Sequence, residues 1–349
     1  MEVTGVAQRQ AWLDKVMPPV ERVRPGLWSI PVPIPDNPLR YVLVYALEGP
    51  RGVTLVDAGW DAPESWDALV AGLKTAGFEI GDVRGVLVTH MHHDHYGLAA
   101  RVRQESGAWV ALHPEDTKLL AARQRDPAGL IRAIRRQMAE HGVPDDVGGT
   151  LAEATRTMLG MVEHTEPEIA LVDGTAPPVE GWDLRTVWTP GHSPGHVCFH
   201  DARNNVLLSG DHVLPRITPT IGLFPRSGDD PLGTFFTSLE KVRALPVGEV
   251  LPAHEYRFAG LDERVGVLLA HHEERLGEIL AVIAGGTEPP TAWELAQELT
   301  WSRPWARIQP FMRRTAMLET LAHLVVLEKA GRAARTGTGE PVRWAVVTP

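Results

Sequence analysis

The chain has one cysteine, Cys198, among 349 residues. No intramolecular disulfide can form, and a reducing compartment fits such a chain. Long apolar runs are also missing. No stretch of 18 or more apolar residues occurs, so no transmembrane helix is expected. Met1 to Met17 carries scattered charges and no apolar h-region, so no signal peptide is expected and a cytoplasmic location is. Basic residues are in deficit: 34 Lys plus Arg against 44 Asp plus Glu leave a net charge of −10. That disfavours a broad phosphate-binding surface, which needs clustered cations, but leaves room for a local groove. There is no internal repeat, no low-complexity segment and no serine in a nucleophile elbow. With 44% hydrophobic and 22% charged residues, the composition is that of a soluble globular chain long enough for a full-sized domain and a smaller one.

What the chain has instead is histidine, fifteen in number and clustered. The stretch Gly85-Val-Leu-Val-Thr-His-Met-His-His-Asp-His-Tyr-Gly97 opens as a buried strand, Val86 to Thr89, and breaks into His90, His92, Asp94 and His95. In an extended chain His90 and His92 share a face while His93 points away. Two imidazoles at one strand end make half of a tetrahedral metal site. Asp94 and His95 follow as the chain turns towards a second position, and Gly97 permits a tight bend into a helix.

The remaining chain repeats the theme of strands that end in polar residues. Residues 1–18 read as a loose leader. Leu27–Ile30, Tyr41–Leu47 and Val53–Asp57 read as an antiparallel meander closed by Asp57-Ala-Gly59. Trp66, Leu69, Val70 and Leu73 predict a helix over 64–76 ending at Gly77. Past the histidine cluster, a helix over 98–105, a strand over 109–112 and a helix over 114–124 predict sheet layers flanked by helices. Residues 125–170 interrupt this rhythm with the helical segments Leu130–His141 and Leu151–Glu163. These read either as helices packed on the core or as a lid whose apolar side, with Met158 and Met161, suits an acyl chain.

Strands then resume. Leu184–Trp188 leads into Thr189-Pro-Gly-His-Ser-Pro-Gly-His196, Val206–Ser209 into Gly210-Asp211-His212, and Val250-Leu-Pro-Ala into His254. From Glu263 an apolar stripe marks a long helix, Thr291-Ala-Trp-Glu294 is a capping-box match for a second, and Met317 to Val325 mark a third. Arg332–Pro341 reads as a turn region and Val342–Val347 as a strand. His113 and His212 read as structural.

The His-x-His-x-Asp-His cluster, the Thr-Pro-Gly-His loop and the strand-end Asp211 and His254 resemble the metallo-β-lactamase superfamily of metal-dependent hydrolases. The resemblance covers about residues 20–260. It implies an α/β fold, a four-layer αββα sandwich, over 1–262 with 125–170 as an insertion. Three helices and a β-wing over 263–349 resemble the winged-helix module of the branch typified by β-lactamase-like protein 2, while the ligand set and His-Glu-Tyr at 254–256 are shared with the glyoxalase-II-like branch. The resemblance assigns His90, His92 and His192 to one metal and Asp94, His95 and His254 to a second, with Asp211 bridging. Asp57 and His196 take supporting positions behind the ligands.

Such a site implies two divalent ions, zinc at the three-histidine position and zinc, iron or manganese at the other. A water bound to them reaches a pKa near 7 and supplies hydroxide, with Asp94 orienting it. His92 stands where the oxygen-reducing flavodiiron relatives carry a glutamate, so redox chemistry is disfavoured. The expected function is a dinuclear hydrolase whose metal-bound hydroxide attacks a small-molecule thioester or ester. The alternatives are a phosphodiesterase or endoribonuclease, and a winged-helix DNA-binding ligand sensor. Over 263–349 ten basic residues balance ten acidic ones, so the whole net charge falls on the first 262 residues and nucleic acid is not the expected partner.

Overall fold

The computed structural model describes residues 1–149, 165–337 and 339–347, so the expected helix Leu151–Glu163, with Met158 and Met161, lies outside the described residues. The chain opens with β1 (Glu2–Val3) and α1 (Val6–Asp14), followed by β2 (Glu21–Arg24), β3 (Leu27–Pro33), β4 (Tyr41–Gly49) and β5 (Gly52–Val56). Next come α2 (Pro63–Thr75), β6 (Val83–Leu87), α3 (His93–Tyr96), α4 (Ala99–Ser106), β7 (Trp109–Leu112), α5 (Pro114–Arg125), α6 (Pro127–Glu140) and β8 (Ile169–Ala170). β9 (Leu184–Trp188), β10 (Val197–Asp201), β11 (Val206–Gly210), α7 (Pro231–Arg243), β12 (Glu249–Pro252) and β13 (Phe258–Ala259) continue the chain. It closes with α8 (Leu261–Gly285), α9 (Ala292–Glu298), α10 (Pro310–Lys329), β14 (Ala333–Thr336) and β15 (Arg343–Val346). No helix among the described residues is long and apolar enough to cross a membrane.

Residues 1–18 are not a loose leader. β1 pairs with β13, and α1 buries Gln8 and Ala11. The Gln8 amide donates to Ser29 Oγ and accepts from Arg257 N, both at 3.0 Å. This anchor is polar, so apolar periodicity could not show it.

Two compact units are present. The first comprises Met1–Leu120, Val162–Pro219 and Ser238–Val265. β4 explains its architecture: Val42, Val44 and Ala46 point one way, Tyr41, Leu43, Tyr45 and Leu47 the other, and all are buried. A strand apolar on both faces must be covered twice. On one side lie Trp66, Leu69 and Leu73 of α2 and Val102 of α4. On the other, the seven-stranded sheet (order β2-β3-β4-β5-β6-β7-β8) meets a six-stranded one (order β1-β13-β12-β11-β10-β9) through Leu184, Phe199, Val206, Leu208 and Leu251. Cys198, Leu207 and Val250 alternate to the far face of that second sheet and are buried too.

β5, β6 and β7 run parallel, as do β11 and β12. The carboxyl ends of each set therefore open on one edge, the usual place for a ligand site in sheets of this kind.

The second unit comprises Ala121–Met161, Thr220–Thr237 and Gly266–Pro349. Its core joins Leu130, Ile134 and Met138 of α6 to Leu276 and Ile279 of α8, Trp293 of α9, Leu318 and Leu321 of α10, and Trp344 of β15. The face of α6 that the sequence offers to an acyl chain is thus filled by its own unit. Within 332–341, expected as turn alone, the chain forms β14, which pairs antiparallel with β15 from Ala333↔Val346 to Thr336↔Arg343. Thr291 closes the expected capping box on α9: Glu294 N donates to Thr291 Oγ1 at 3.2 Å and Thr291 N to Glu294 Oε2 at 2.8 Å.

Candidate metal centre

β6 ends at Leu87, and His92 is the N-cap of α3. His90 and His92 therefore converge through a turn into a helix and not by strand alternation. His90 Nε2 and His92 Nδ1 lie 2.8 Å apart. Gly97 has ordinary helical torsions (φ −52, ψ −53). Its lack of a side chain matters for another reason: a Cβ would lie 2.4 Å from the His93 carbonyl oxygen and 2.7 Å from Asp61 N.

Three groups of ligand atoms converge, each within 4.8 Å: His90, His92 and His192; His90, His95 and Asp211; Asp94, His95 and His254. All seven residues singled out in the sequence are among them. Asp211 is central, with Oδ2 3.4 Å from His192 Nε2 and 4.0 Å from His90 Nε2, and Oδ1 3.5 Å from His95 Nε2 and 3.2 Å from His254 Nε2. Asp94 Oδ2 lies 3.3 Å from His254 Nε2 and 3.7 Å from His95 Nε2. His113 and His212 join none of these groups. His113 stacks on Trp188 at 5.0 Å, and burial pushes the His212 imidazole down to about 3.

Each of three imidazoles has its Nδ1 held by an acceptor. His95 Nδ1 donates to Asp57 Oδ2 at 2.8 Å, His254 Nδ1 to the Tyr41 carbonyl at 2.9 Å, and His90 Nδ1 to Thr89 Oγ1 at 3.1 Å. That fixes a proton on Nδ1 and turns Nε2 towards the cluster. Asp57 itself is buried in the left-handed region (φ 63) and accepts from Thr89 N at 2.8 Å and Thr89 Oγ1 at 3.0 Å. His196 stands one step behind. Its Nε2 accepts from Asp211 N at 3.2 Å, so its Nδ1 donates to Thr189 Oγ1 at 2.8 Å.

Thr89, the Tyr41 carbonyl and Asp116 were not singled out in the sequence. Thr89 had a signal, its place directly before the first histidine. The other two act across the fold and left none.

The electrostatics ask for cations. Burial, reinforced by neighbouring imidazoles, holds His90 and His92 well below the usual histidine range, so both imidazoles are neutral. Burial alone would raise the Asp94 and Asp211 carboxyls, yet His95 and His254 outweigh it and hold both low and anionic. The reverse holds for those imidazoles. Burial opposes their charge, but the carboxylates, Asp211 foremost, lift His95 well up and His254 to about 10. Protons there stand where metal ions would offset the same buried negative charge. His95 Nε2, His254 Nε2 and Asp211 Oδ1 are also buried without a hydrogen bond. Orphaned buried polar atoms of this kind are costly unless they ligate something. The donor set therefore fits divalent metal.

A two-sheet α/β unit with a His/Asp cluster at its strand ends defines a metal-dependent hydrolase of the β-lactamase type. The sequence profile of the Metallo-beta-lactamase superfamily matches residues 37–254, and the chain belongs to that superfamily. A metallo-beta-lactamase family protein of Thermus thermophilus, known from its crystal structure, is similar over 93% of this chain and 100% of its own, at 34% identity and a TM-score of 0.80. A Bacillus subtilis protein named "Probable metallo-hydrolase YqjP" is 25% identical over 299 residues, 82% of this chain and 88% of that protein. An "Atrochrysone carboxyl ACP thioesterase" of Aspergillus fumigatus is 29% identical over 121 residues, 34% of this chain and 36% of that protein.

Proposed function

We propose that this protein hydrolyses a small-molecule thioester or ester with two divalent metal ions. His90, His92 and His192 would hold one ion, Asp94, His95 and His254 the other, with Asp211 shared. The carrying observation is the tethering of three Nδ1 atoms, which turns the Nε2 atoms of His90, His95 and His254 towards two buried anionic carboxylates. The three-histidine donor set suits zinc; the Asp/His set suits zinc, iron or manganese. When bound, such ions would lower the pKa of water and polarise the substrate carbonyl.

The chain's own residues do the rest. Asp94, kept anionic beside His95 and His254, accepts the proton of the attacking water and returns it to the departing thiolate or alkoxide. Water oxygen bonds to the acyl carbon, the carbon–sulfur or carbon–oxygen bond breaks, and acid and thiol or alcohol result. Cys198 does not replace water as nucleophile: burial pushes its thiol up to about 12, and its Sγ lies against the Ser209 carbonyl at 3.5 Å.

Thioester over nucleic acid rests on charge, since the first 262 residues carry the net −10. The thioesterase named among the relatives agrees with that choice. The three helices and two-stranded sheet of 263–349 we read as a winged-helix module in a packing role, because its charges cancel. Zinc-loaded protein should cleave acyl thioesters or esters and leave single-stranded RNA intact. Metal-dependent RNA cleavage with every thioester and ester untouched would overturn the reading.

A further inference from the structure

Asp116 lies in the first turn of α5, wholly buried, and belongs to no ligand group. Its Oδ2 accepts from Met91 N at 2.9 Å and from Ser193 Oγ at 2.8 Å, and its Oδ1 accepts from Gly195 N at 2.7 Å. Met91 is the residue between His90 and His92. Ser193 follows His192, and Gly195 precedes His196, whose Nε2 receives Asp211 N.

One carboxylate thus clasps the turn that carries two ligands to the loop that carries the third. The approach is close: a Cβ at Gly195 would lie 2.6 Å from Asp116 Cγ and 2.6 Å from Asp116 N. Any larger residue at 195 would push the loop off the carboxylate. Val197 N to the Thr89 carbonyl, at 2.9 Å, joins the same two segments further back, before His90 and after His196. Across the clasp the rings of His92 and His192 stand 4.5 Å apart, and those of His90 and His192 4.8 Å.

We propose that Asp116 is a positioning residue that sets the separation of the His90/His92 turn from the His192 loop, and with it the affinity and geometry of the ion those three hold. This rests on the metal assignment above. A carboxylate suits the task because its two oxygens take three donors at once, and charge-assisted bonds to backbone N–H are the stronger kind. An amide cannot: one of its two heads is itself a donor. Groups that orient ligands from behind, when removed, lower metal affinity by about 10–100-fold.

The test compares wild-type protein with Asp116→Asn and Ser193→Ala. Zinc affinity is measured by chelator competition, and the visible spectrum is recorded after cobalt(II) substitution. The expected results are an about 10–100-fold loss of affinity for one ion in Asp116→Asn, a smaller loss in Ser193→Ala, and altered cobalt bands in both. If Asp116→Asn does not fold, Ser193→Ala carries the test alone. Wild-type affinity and unchanged bands in folded variants, with only a lower melting temperature, would show a merely structural role and overturn the proposal. If wild-type protein binds neither zinc nor cobalt, the metal assignment itself fails and the clasp reading with it.

Discussion

Replacing Asp57 by asparagine isolates the tautomer argument at the centre of the site. Asp57 Oδ1 is fixed by Thr89 N at 2.8 Å, so in Asp57→Asn the amide oxygen takes that position and the NH2 head replaces Oδ2. The NH2 then faces His95 Nδ1, and two donors cannot share the contact. The imidazole proton must move to Nε2, the atom 3.5 Å from Asp211 and 3.7 Å from Asp94. A protonated Nε2 cannot ligate.

Loss of such an orienting partner costs about 10–100-fold in affinity or activity. That corresponds to about 1.4–2.7 kcal/mol at 1.36 kcal/mol per decade. Asparagine tolerates the left-handed backbone (φ 63) at this position, which alanine does not. Alanine would also strand the Thr89 and His95 N–H groups at about 1–3 kcal/mol each, a large share of a total stability of about 5–15 kcal/mol. Asparagine is therefore the cleaner probe. Chelator competition, activity and the nitrogen-15 shifts of His95 should report weaker binding of one ion and an Nε2–H tautomer. Wild-type affinity for both ions with an Nδ1–H imidazole would refute the reasoning.

Asp211→Ala should lose at least one ion and most activity, because it removes the carboxylate that faces His90, His95, His192 and His254; full metal content by elemental analysis would contradict the assignment. In the second unit His272 Nδ1 donates to His323 Nε2 at 3.0 Å, and burial holds these imidazoles down at about 2 and about 4. Above about pH 6.5 both are neutral, folded or unfolded; on acidification the unfolded chain takes protons that the folded chain refuses, so stability falls. Glu319, raised to about 7 by burial, acts oppositely above about 4.5, but His141, also held down at about 4 by burial, adds to the pair, leaving three imidazoles against one carboxyl. Denaturant midpoints should fall from pH 6.5 to 4.5, with a shallower slope in His323→Leu; a flat wild-type profile would contradict this. Finally, with ten basic and ten acidic residues in 263–349, duplex DNA should not bind at submicromolar concentration in physiological salt. Titration with labelled duplex checks it, and tight binding weakened by Arg313→Ala would reverse the packing role.

By itself the sequence determined the elements whose causes are local. The spacing of α2 and the capping box at Thr291 each depend on neighbours within a few residues, and each appears where expected; the apolar run before His90 also forms a strand, but β6 spans Val83–Leu87 and ends two residues short of the expected Thr89. The seven ligand-type residues were legible because they fall in four groups, each following an apolar strand, in the order of the superfamily the chain resembles.

Only the tertiary structure decided what depends on distant partners. The anchoring of α1 rests on Gln8 meeting Ser29 and Arg257, and the tautomer of His254 on a carbonyl at Tyr41. The clasp at Asp116 joins residues 25 and 77 positions away. The buried role of α6's apolar face depends on helices more than a hundred residues further on. Hydrophobic period and strand ends are properties of short segments; the second partner of a hydrogen bond, and the surface that covers a face, exist only once the chain has folded back on itself.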